Sequence, residues 1–537
     1  MVRPWVKIAG IIVVVGLIAW GLVTLNGGKV SLLPDKNNGD TASKEQSNSP
    51  FKIFGGGNKG KKDYITVGVD TYGGHAPIVQ LNGGLEPNEN CELYKKYGIK
   101  LKFMIVENDR SAFKSGDIDV IFATTDVRPI EMGENSAMLD SKQFVLANKS
   151  EGADALVVDK TINTVADLAK KNVTIAYPEG QAGQTLLMEI LETSGLKASD
   201  VNLAQWFVNG KQVKVANGMD AAEVMKAKQA NAALVYSPDD IDLAKIPGNK
   251  ILFTTKQAPN IIVDGYIANQ SFIDKNKDAL AKLTEAILYA NSELATNDDF
   301  LKAAAKTFAK AFGVDASFIC ETDNNGRIVN SIRDVLRFAT LADNVNFFGL
   351  NDDYKGMTGE QLYRRMAVKY QEAGLTKSPV KWGRTVDTSI IESLMAHNTL
   401  TNDQTAEQER KYDAPSAREI TAKEVSNKKV IIEFNTNSAV LDAQAQNIID
   451  AEFVPIAQNF TNYIRVEGNT DNTGSASVNI DLSKRRAQAV VDYLVKQYSF
   501  DKNRFIVVGN GSKDAIANGS VGSDRNYRRT DFQLIGE

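Results

Sequence analysis

The sequence predicts an α/β protein in several parts: an apolar helix near the N-terminus, a large domain of alternating strand-like and helix-like segments, and a smaller α+β domain at the C-terminal end. Three observations carry this expectation. A chain of 537 residues is too long for one hydrophobic core. Its composition, 43% hydrophobic and 24% charged, is that of folded protein. Two polar stretches of low complexity, at about 29–62 and 399–428, divide it. The net charge of −4 gives no electrostatic reason for a nucleic-acid or anionic-lipid partner.

From Ile8 to Gly28 no residue is charged, and the run IIVVVGLIAWGLVTL is long enough to cross about 30 Å of hydrocarbon as a helix. Residues 1–28 are therefore expected to form a cytoplasmic start and a signal anchor. Arg3 and Lys7 precede the run and hold the start in the cytoplasm, so the chain after Lys29 lies across the membrane. A cleaved signal is the alternative, with AWG at Ala19–Gly21 as the cleavage site. The predicted localisation is the inner membrane, single-pass, with the bulk in the periplasm. Residues 29–62, rich in Gly, Asn, Ser, Lys and Asp, cannot bury enough apolar surface to fold and are expected to be a flexible tether spanning roughly 30 to 35 Å.

Residues 63–398 open with the alternating run YITVGVDTY. Strands are expected at Lys100–Val106, Val120–Ala123, Ala155–Val158, Val173–Ala176, Ala232–Tyr236 and Ile261–Ala268. Helical periodicity is clearest at Val165–Lys170, Gln184–Ser194, Ala221–Ala230 and Asp278–Asn297, and beyond Asp299 the pattern is almost wholly helical. Neither a Walker A motif nor a Gly-x-Gly-x-x-Gly after a strand occurs, so no nucleotide cofactor is expected. With only His75 and His397, and only Cys91 and Cys320, neither a His-based catalytic triad nor a metal site is expected. His75, after Gly73-Gly74, is the lone acid/base candidate and reads better as a turn or packing histidine. The two cysteines are either paired in one long-range disulfide or, more simply, buried thiols.

The order of phrases in this region resembles two-lobed periplasmic substrate-binding proteins of the nitrate, sulfonate and taurine ABC-transporter class. The phrases are GVDTYGGHAPIV, FKSGDIDVIFATTD (Phe113–Asp126), GADALVV (Gly152–Val158), INTVADLAKKNVTIAYPEGQAGQTLL (Ile162–Leu187), AKQANAALVYSPD (Ala227–Asp239) and APNIIVDGYIANQSFID (Ala258–Asp274). The resemblance implies two α/β lobes crossed by two hinge strands, with a ligand cleft between. By position in the matching phrases, Thr71, Tyr72, Thr124, Thr125, Asp126, Asp154, Gln181, Tyr236 and Asp264 face that cleft, and Ala182 and Gly183 open a second-lobe helix with Gln181. Asp154 and Asp264 read equally well as turn caps or hinge braces. For an anionic solute only Arg128 is placed to reach in; the three aspartates would suit an amine or cationic group instead.

After a second polar stretch at 399–428, expected to be a linker, residues 429–537 read as β-α-β-α-β-β: KVIIEF (Lys429–Phe434), an amphipathic helix from about Ala443 to Asn459, YIRVEGNTD, a long helix, RFIVVGNGSKD and RRTDFQLIGE. The phrase NTDNTGSASVNIDLSKRRAQAVVDYL (Asn469–Leu494) resembles the OmpA-like signature, in which T-D-x-x-G precedes N-x-x-L-S-x-x-R-A. The resemblance implies peptidoglycan binding. Asp471 stands where that family's carboxylate meets the ammonium of the stem peptide's diamino acid, and Arg486 where a guanidinium pairs with the ligand carboxylate. One anion and one forked cation suit a zwitterionic centre. Thr470, Gly474 and Asn479 fill other motif positions; Leu482 and Ala487 read as packing residues and Ser483 as a cap. The pattern departs from the family at Tyr527, which precedes Arg528 and Arg529 where an Asn is usual.

Together these readings predict a membrane-anchored envelope protein that binds peptidoglycan at one end and a small solute in a cleft, for capture, sensing or as a transport accessory beside a membrane partner complex. A structural tether or scaffold with a vestigial cleft is the alternative, and an enzyme using the cleft ranks third. The two flexible tethers permit independent motion of the domains, and coupling from cleft closure to wall binding would need a partner to transmit it.

Overall fold

In a computed structural model the described residues are 53–54, 61–106, 109–133, 136–205, 220–397, 411–435 and 437–536. The apolar run 8–28 lies outside them. Among the described residues no helix is long and apolar enough to cross a membrane. Within the N-terminal tether prediction, Ile53–Phe54 pairs antiparallel with Lys61–Lys62.

Strands β1 (Ile65–Val69), β2 (Leu101–Ile105), β3 (Val120–Thr124) and β4 (Ser141–Ser150) begin a first sheet. The chain then crosses into a second sheet of β5 (Asp154–Asp159), β6 (Ile175–Tyr177), β7 (Leu203–Gln205), β8 (Ala232–Tyr236) and β9 (Asn249–Thr254). It returns along β10 (Val263–Asn269), and β11 (Leu336–Phe338) closes the edge of the first sheet. The orders are β11-β4-β10-β3-β1-β2 and β9-β5-β8-β6-β7, two α/β lobes joined by two crossings. At the crossings Ser150 N–H donates to Ile262 O at 3.0 Å and Thr255 N–H to Asp154 O at 2.9 Å. β4 escaped sequence reading because both of its faces are buried, so SKQFVLANKS shows no alternation.

Helices α1 (Ala76–Asn82), α2 (Ala182–Glu192), α3 (Lys277–Thr296), α4 (Asp298–Phe312) and α5 (Gly359–Glu372) cover the sheets. The expectation of an almost wholly helical region beyond Asp299 fails locally. Cys320–Thr322 pairs with Ile328–Ser331 and β11 pairs with β4, because Asn324, Asn325 and Gly326 make a turn that breaks the helical period. Cys91 and Cys320 are free and buried.

The C-terminal domain has the sheet order β12-β15-β13-β14, with β12 (Glu424–Val430), β13 (Ile464–Asn469), β14 (Phe505–Gly511) and β15 (Thr530–Ile535). Helices α6 (Ala443–Glu452) and α7 (Ala476–Tyr498) pack on it, and a short helix, Val454–Asn459, follows α6. The single helix expected to Asn459 is thus two, broken where Pro455 begins a new first turn. The first strand lies five residues earlier than KVIIEF. The stretch 399–428 is not a plain linker either: Ala417–Thr421 is helical under a Ser416/Glu419 capping box, and Glu424–Lys428 belongs to β12.

This domain does not hang free of the lobes. Residues 49–537 form one compact unit, and Phe453, Ile456, Phe460 and Phe532 share a continuous core with Leu156, Leu187, Ile190 and Phe253 of the second lobe. The Phe253 and Phe460 rings meet edge to face with centroids 5.9 Å apart. Beside them a charge network holds three elements together. Buried Glu189 on α2 accepts from Arg365 Nε at 2.8 Å, Lys369 Nζ at 3.0 Å and, from the C-terminal domain, Asn459 Nδ2 at 2.7 Å. Glu192 receives Arg365, Lys369 and Lys428. The second lobe and the C-terminal domain thus share a core despite the polar stretch at 399–428, because polar tether composition says nothing about the apolar faces on either side of it.

Burial opposes ionisation of Glu189, but Arg365 and Lys369 outweigh it and hold the carboxyl down at about 2. A depressed pKa contributes stability above the ordinary carboxylate range that is lost only as pH falls toward 2. Replacing Glu189 with Ala leaves Arg365 and Lys369 with Glu192 as their one remaining carboxylate and the Asn459 amide without its acceptor, so Glu189→Ala is expected to lower unfolding free energy by roughly 2–4 kcal/mol in a urea titration at pH 7.

Candidate functional site

The cleft is built where strand ends meet the crossings. Asp264 on β10 pairs in register with Thr124 of β3 on one side and Asn148 of β4 on the other. Thr124 bonds its carboxyl through the hydroxyl. The Tyr72 hydroxyl donates to Asn148 Oδ1 at 2.8 Å and lies 3.1 Å from Asp264 Oδ2. Burial first, then Asp126 and Asp154, push Asp264 well above the usual carboxylate range. Tyr72 is itself raised, by burial and then by Asp264 and Asp154.

Asp126 sits in the turn after β3. It accepts from Thr185 Oγ1 at 2.6 Å and from Val263 N–H at 3.4 Å. Tyr370 of α5 lies 2.7 Å from the same Thr185 oxygen; with the threonine proton on Asp126, Tyr370 is the donor. This chain joins lobe to lobe, because Thr185 is on α2. Asp154 opens β5 opposite Tyr236 of β8. Its Oδ2 accepts from Ser150 Oγ at 2.6 Å, and Ser150 in turn lies 2.7 Å from Thr255 Oγ1, so the two crossings are latched. Its Oδ1 is buried and has no partner. Burial raises Asp126 and Asp154 each to about 7. Tyr236 is 42% exposed yet strongly raised by its surroundings, as befits the wall of a cleft. Gln181 caps α2 and accepts from the Tyr236 hydroxyl at 3.3 Å.

Of the residues the sequence proposed, Tyr72, Thr124, Asp126, Asp154, Gln181, Tyr236 and Asp264 are brought together, and Thr71 is exposed beside Tyr72. Thr125 is turned into the first lobe and spends its hydroxyl on Gln143. Arg128 does not reach the cleft: it is 1% exposed and bonds Glu131 and Ser141, which corrects the one cation offered for an anion. His75 is buried between Tyr266 and Asp70, at 2.9 Å from each. Sequence reading missed Asn148, Thr185 and Tyr370, hydroxyl and amide groups whose roles depend on distant strand neighbours. A cavity of about 180 Å³ lies elsewhere, at the seam between Asn260, Tyr354 and the C-terminal Tyr412 and Arg504.

In the C-terminal domain, Asp471 leaves β13 and is bound by Arg528 Nη1 at 2.7 Å and Thr473 N–H at 3.2 Å. Burial alone would raise its pKa; Arg528 and Thr473 outweigh that and hold it low. Arg486 on α7 donates to Ser438 O at 3.0 Å and lies 4.8 Å above the Phe434 ring, close enough for Asp471 to act on its charge. Asn479 donates to Thr473 O at 3.0 Å, Gly474 turns the loop at φ +94, and Thr470 Oγ1 is buried without a partner. Leu482 and Ala487 are buried packing residues, as read. Ser483 is no cap: Ser475 caps α7, and Ser483, mid-helix, accepts from Gly511 N–H at 2.9 Å. The helix lies so close that a Cβ on Gly468 would overlap the Ser483 carbonyl. Despite Tyr527, the last loop does deliver a contact, through Arg528.

Residues 433–529 match the model of the OmpA family and residues 144–300 that described as NMT1/THI5 like. Outer membrane protein Omp38 of Acinetobacter baumannii is 31% identical over 126 residues, 23% of this chain and 34% of that protein. Outer membrane protein A of Bordetella avium is 30% identical over 132 residues, 24% of this chain and 64% of that one. The chain thus spans from a third to just under two thirds of these relatives' length. Among solved structures, the periplasmic aliphatic sulphonate binding protein SsuA from Escherichia coli covers 62% of this chain and 99% of its own, with TM-score 0.44 and 17% identity. The periplasmic nitrate-binding protein NrtA from Synechocystis PCC 6803 covers 64% and 91%, with TM-score 0.46 and 11% identity. The desulfurization enzyme DSZB covers 63% and 100%, with TM-score 0.40 and 14% identity.

An aspartate whose folded pKa is raised contributes stability below its unfolded value, and that stability is lost as pH rises to about 7. Asp154→Asn is therefore expected to be more stable than wild type by roughly 1–2 kcal/mol at pH 8, with the difference vanishing near pH 4, in paired thermal melts.

Proposed function

We propose that this is a membrane-anchored envelope protein that grips peptidoglycan through its C-terminal domain and holds a small solute between its two lobes. The observation that supports the reading is the match of residues 433–529 to the OmpA family, within which Asp471 lies close enough to act on the charge of Arg486. Arg528 bonds Asp471 in the structure. An incoming ammonium from the stem peptide's diamino acid takes that carboxylate over, and its own carboxylate meets the Arg486 fork, which stays in place because Ser438 and the Phe434 ring hold it. Thr470, Gly474 and Asn479 shape the loop around them.

The cleft supports solute binding because polar groups converge there from both lobes where a vestigial cleft would be filled by apolar side chains. Raised carboxyls also occur at acid/base sites. Here all three shift the same way, whereas an acid and its base must be pushed apart, so binding outranks catalysis. The N-terminal apolar run is read as a single inner-membrane pass with the bulk in the periplasm, beside a membrane partner complex.

The test is a pulldown of full-length protein in detergent with purified diaminopimelate-type peptidoglycan. Asp471→Ala and Arg486→Ala are each expected to weaken retention by about tenfold or more, the value of one lost charge-assisted contact. Wild type that is not retained, or variants that bind as well as wild type, would overturn the wall-binding role.

A further inference from the structure

We propose that the interlobe cleft takes an organic cation bearing N–H groups, a primary ammonium or an amidinium, with Asp154 Oδ1 as its hydrogen-bond acceptor and Asp126 and Asp264 as countercharges. The inference rests on the reading that the cleft binds a solute, and names its class.

Asp154 is 4% exposed. One of its oxygens takes the Ser150 proton and the other, buried, takes nothing. A carboxylate oxygen removed from water without a donor is costly, and what completes it must bring an N–H or O–H. The strand pairings place the neighbours: Tyr236 stands directly across from Asp154, while Asp264 follows Val263, whose amide is bonded to Asp126. Three carboxyls from three separate segments thus lie close enough for Asp154 to act on the charge of both Asp126 and Asp264. Burial acts on them most strongly, followed by hydrogen bonds from Thr185, Ser150 and Thr124 and by neighbouring aspartates, Asp240 beside Asp154, Asp154 beside Asp126, and both Asp126 and Asp154 beside Asp264; Arg128 is turned inward to Glu131. An anion would enter a field of its own sign. Among the described residues no three acidic, His or Cys groups converge as ligands of a metal ion.

Two features narrow the class further. A quaternary ammonium presents only C–H groups and leaves Asp154 Oδ1 unmatched, so the cation carries N–H. Tyr72 and Tyr236 flank the carboxyls and add ring faces to a positive group. Burial raises Asp126 and Asp154 to about 7, so a cation that gives their charged forms a partner offsets the cost of ionising them.

The test is thermal unfolding and titration calorimetry of the full-length protein at pH 8 and constant ionic strength. The probes are propylammonium, 1,4-diaminobutane and acetamidinium, set against tetramethylammonium, nitrate and ethanesulfonate. At least one N–H cation is expected to raise the midpoint and to bind about tenfold or more tightly than tetramethylammonium. Asp154→Asn should lose that binding by about tenfold while still being retained on peptidoglycan, which shows that it is folded; Asp264→Asn serves as the second variant. Stabilisation by nitrate or ethanesulfonate and not by the cations would overturn the cation assignment and leave solute binding standing. An equal response of wild type and Asp154→Asn would overturn the site. If no probe of either sign moves the midpoint, both the ligand class and the solute-binding reading fall.

Discussion

A carboxylate sealed from water is tolerated only where donors replace its lost hydration, and the donors around Glu189 come from places far apart in the chain. Arg365 and Lys369 lie on α5 and Asn459 ends the short helix after Pro455. Any arrangement that leaves one of these elements out strands buried charge, so the second lobe, the helical layer and the C-terminal domain are placed by a single requirement. The apolar seam of Phe253 against Phe460 supplies area; the charges supply register, because area alone would permit sliding.

The cleft obeys the same physics with the opposite outcome. Asp126, Asp154 and Asp264 are as deeply buried as Glu189, but they are matched by hydroxyls and an amide, with no cation among the groups that act on them most strongly. Their ionisation is suppressed where that of Glu189 is promoted. The fold thus contains one acidic site that is complete and one that is not, and the incomplete one lies at the crossings, where Ser150 and Thr255 latch the two lobes.

Local chemistry was legible in the sequence and long-range chemistry was not. Ala232–Tyr236 was placed to the residue, and the Asp471 and Arg486 loop was found by its motif, since T-D-x-x-G and the helix beyond it are short-range patterns. Tyr72, Asp154 and Asp264 were proposed from their positions in the phrases that resemble the binding-protein family, and the structure sets Tyr72 against Asp264 with Asp154 near both. Asn148 was not, since its role is to stand beside Asp264 on a strand more than a hundred residues away. Arg128 misled for the converse reason: a cation next to the cleft in sequence is drawn inward by Glu131, three residues on. The tether at 399–428 misled because composition reports what a segment can bury, not what its neighbours do.

Thr185 and Glu189 are four residues apart on α2, one helical turn and one face. The first is bonded to Asp126 in the cleft and the second to Asn459 of the C-terminal domain. A helix turn moves as a unit, so the cleft and the C-terminal domain hold opposite ends of one rigid piece, and a shift that moves Asn459 pulls on the same turn that holds Asp126.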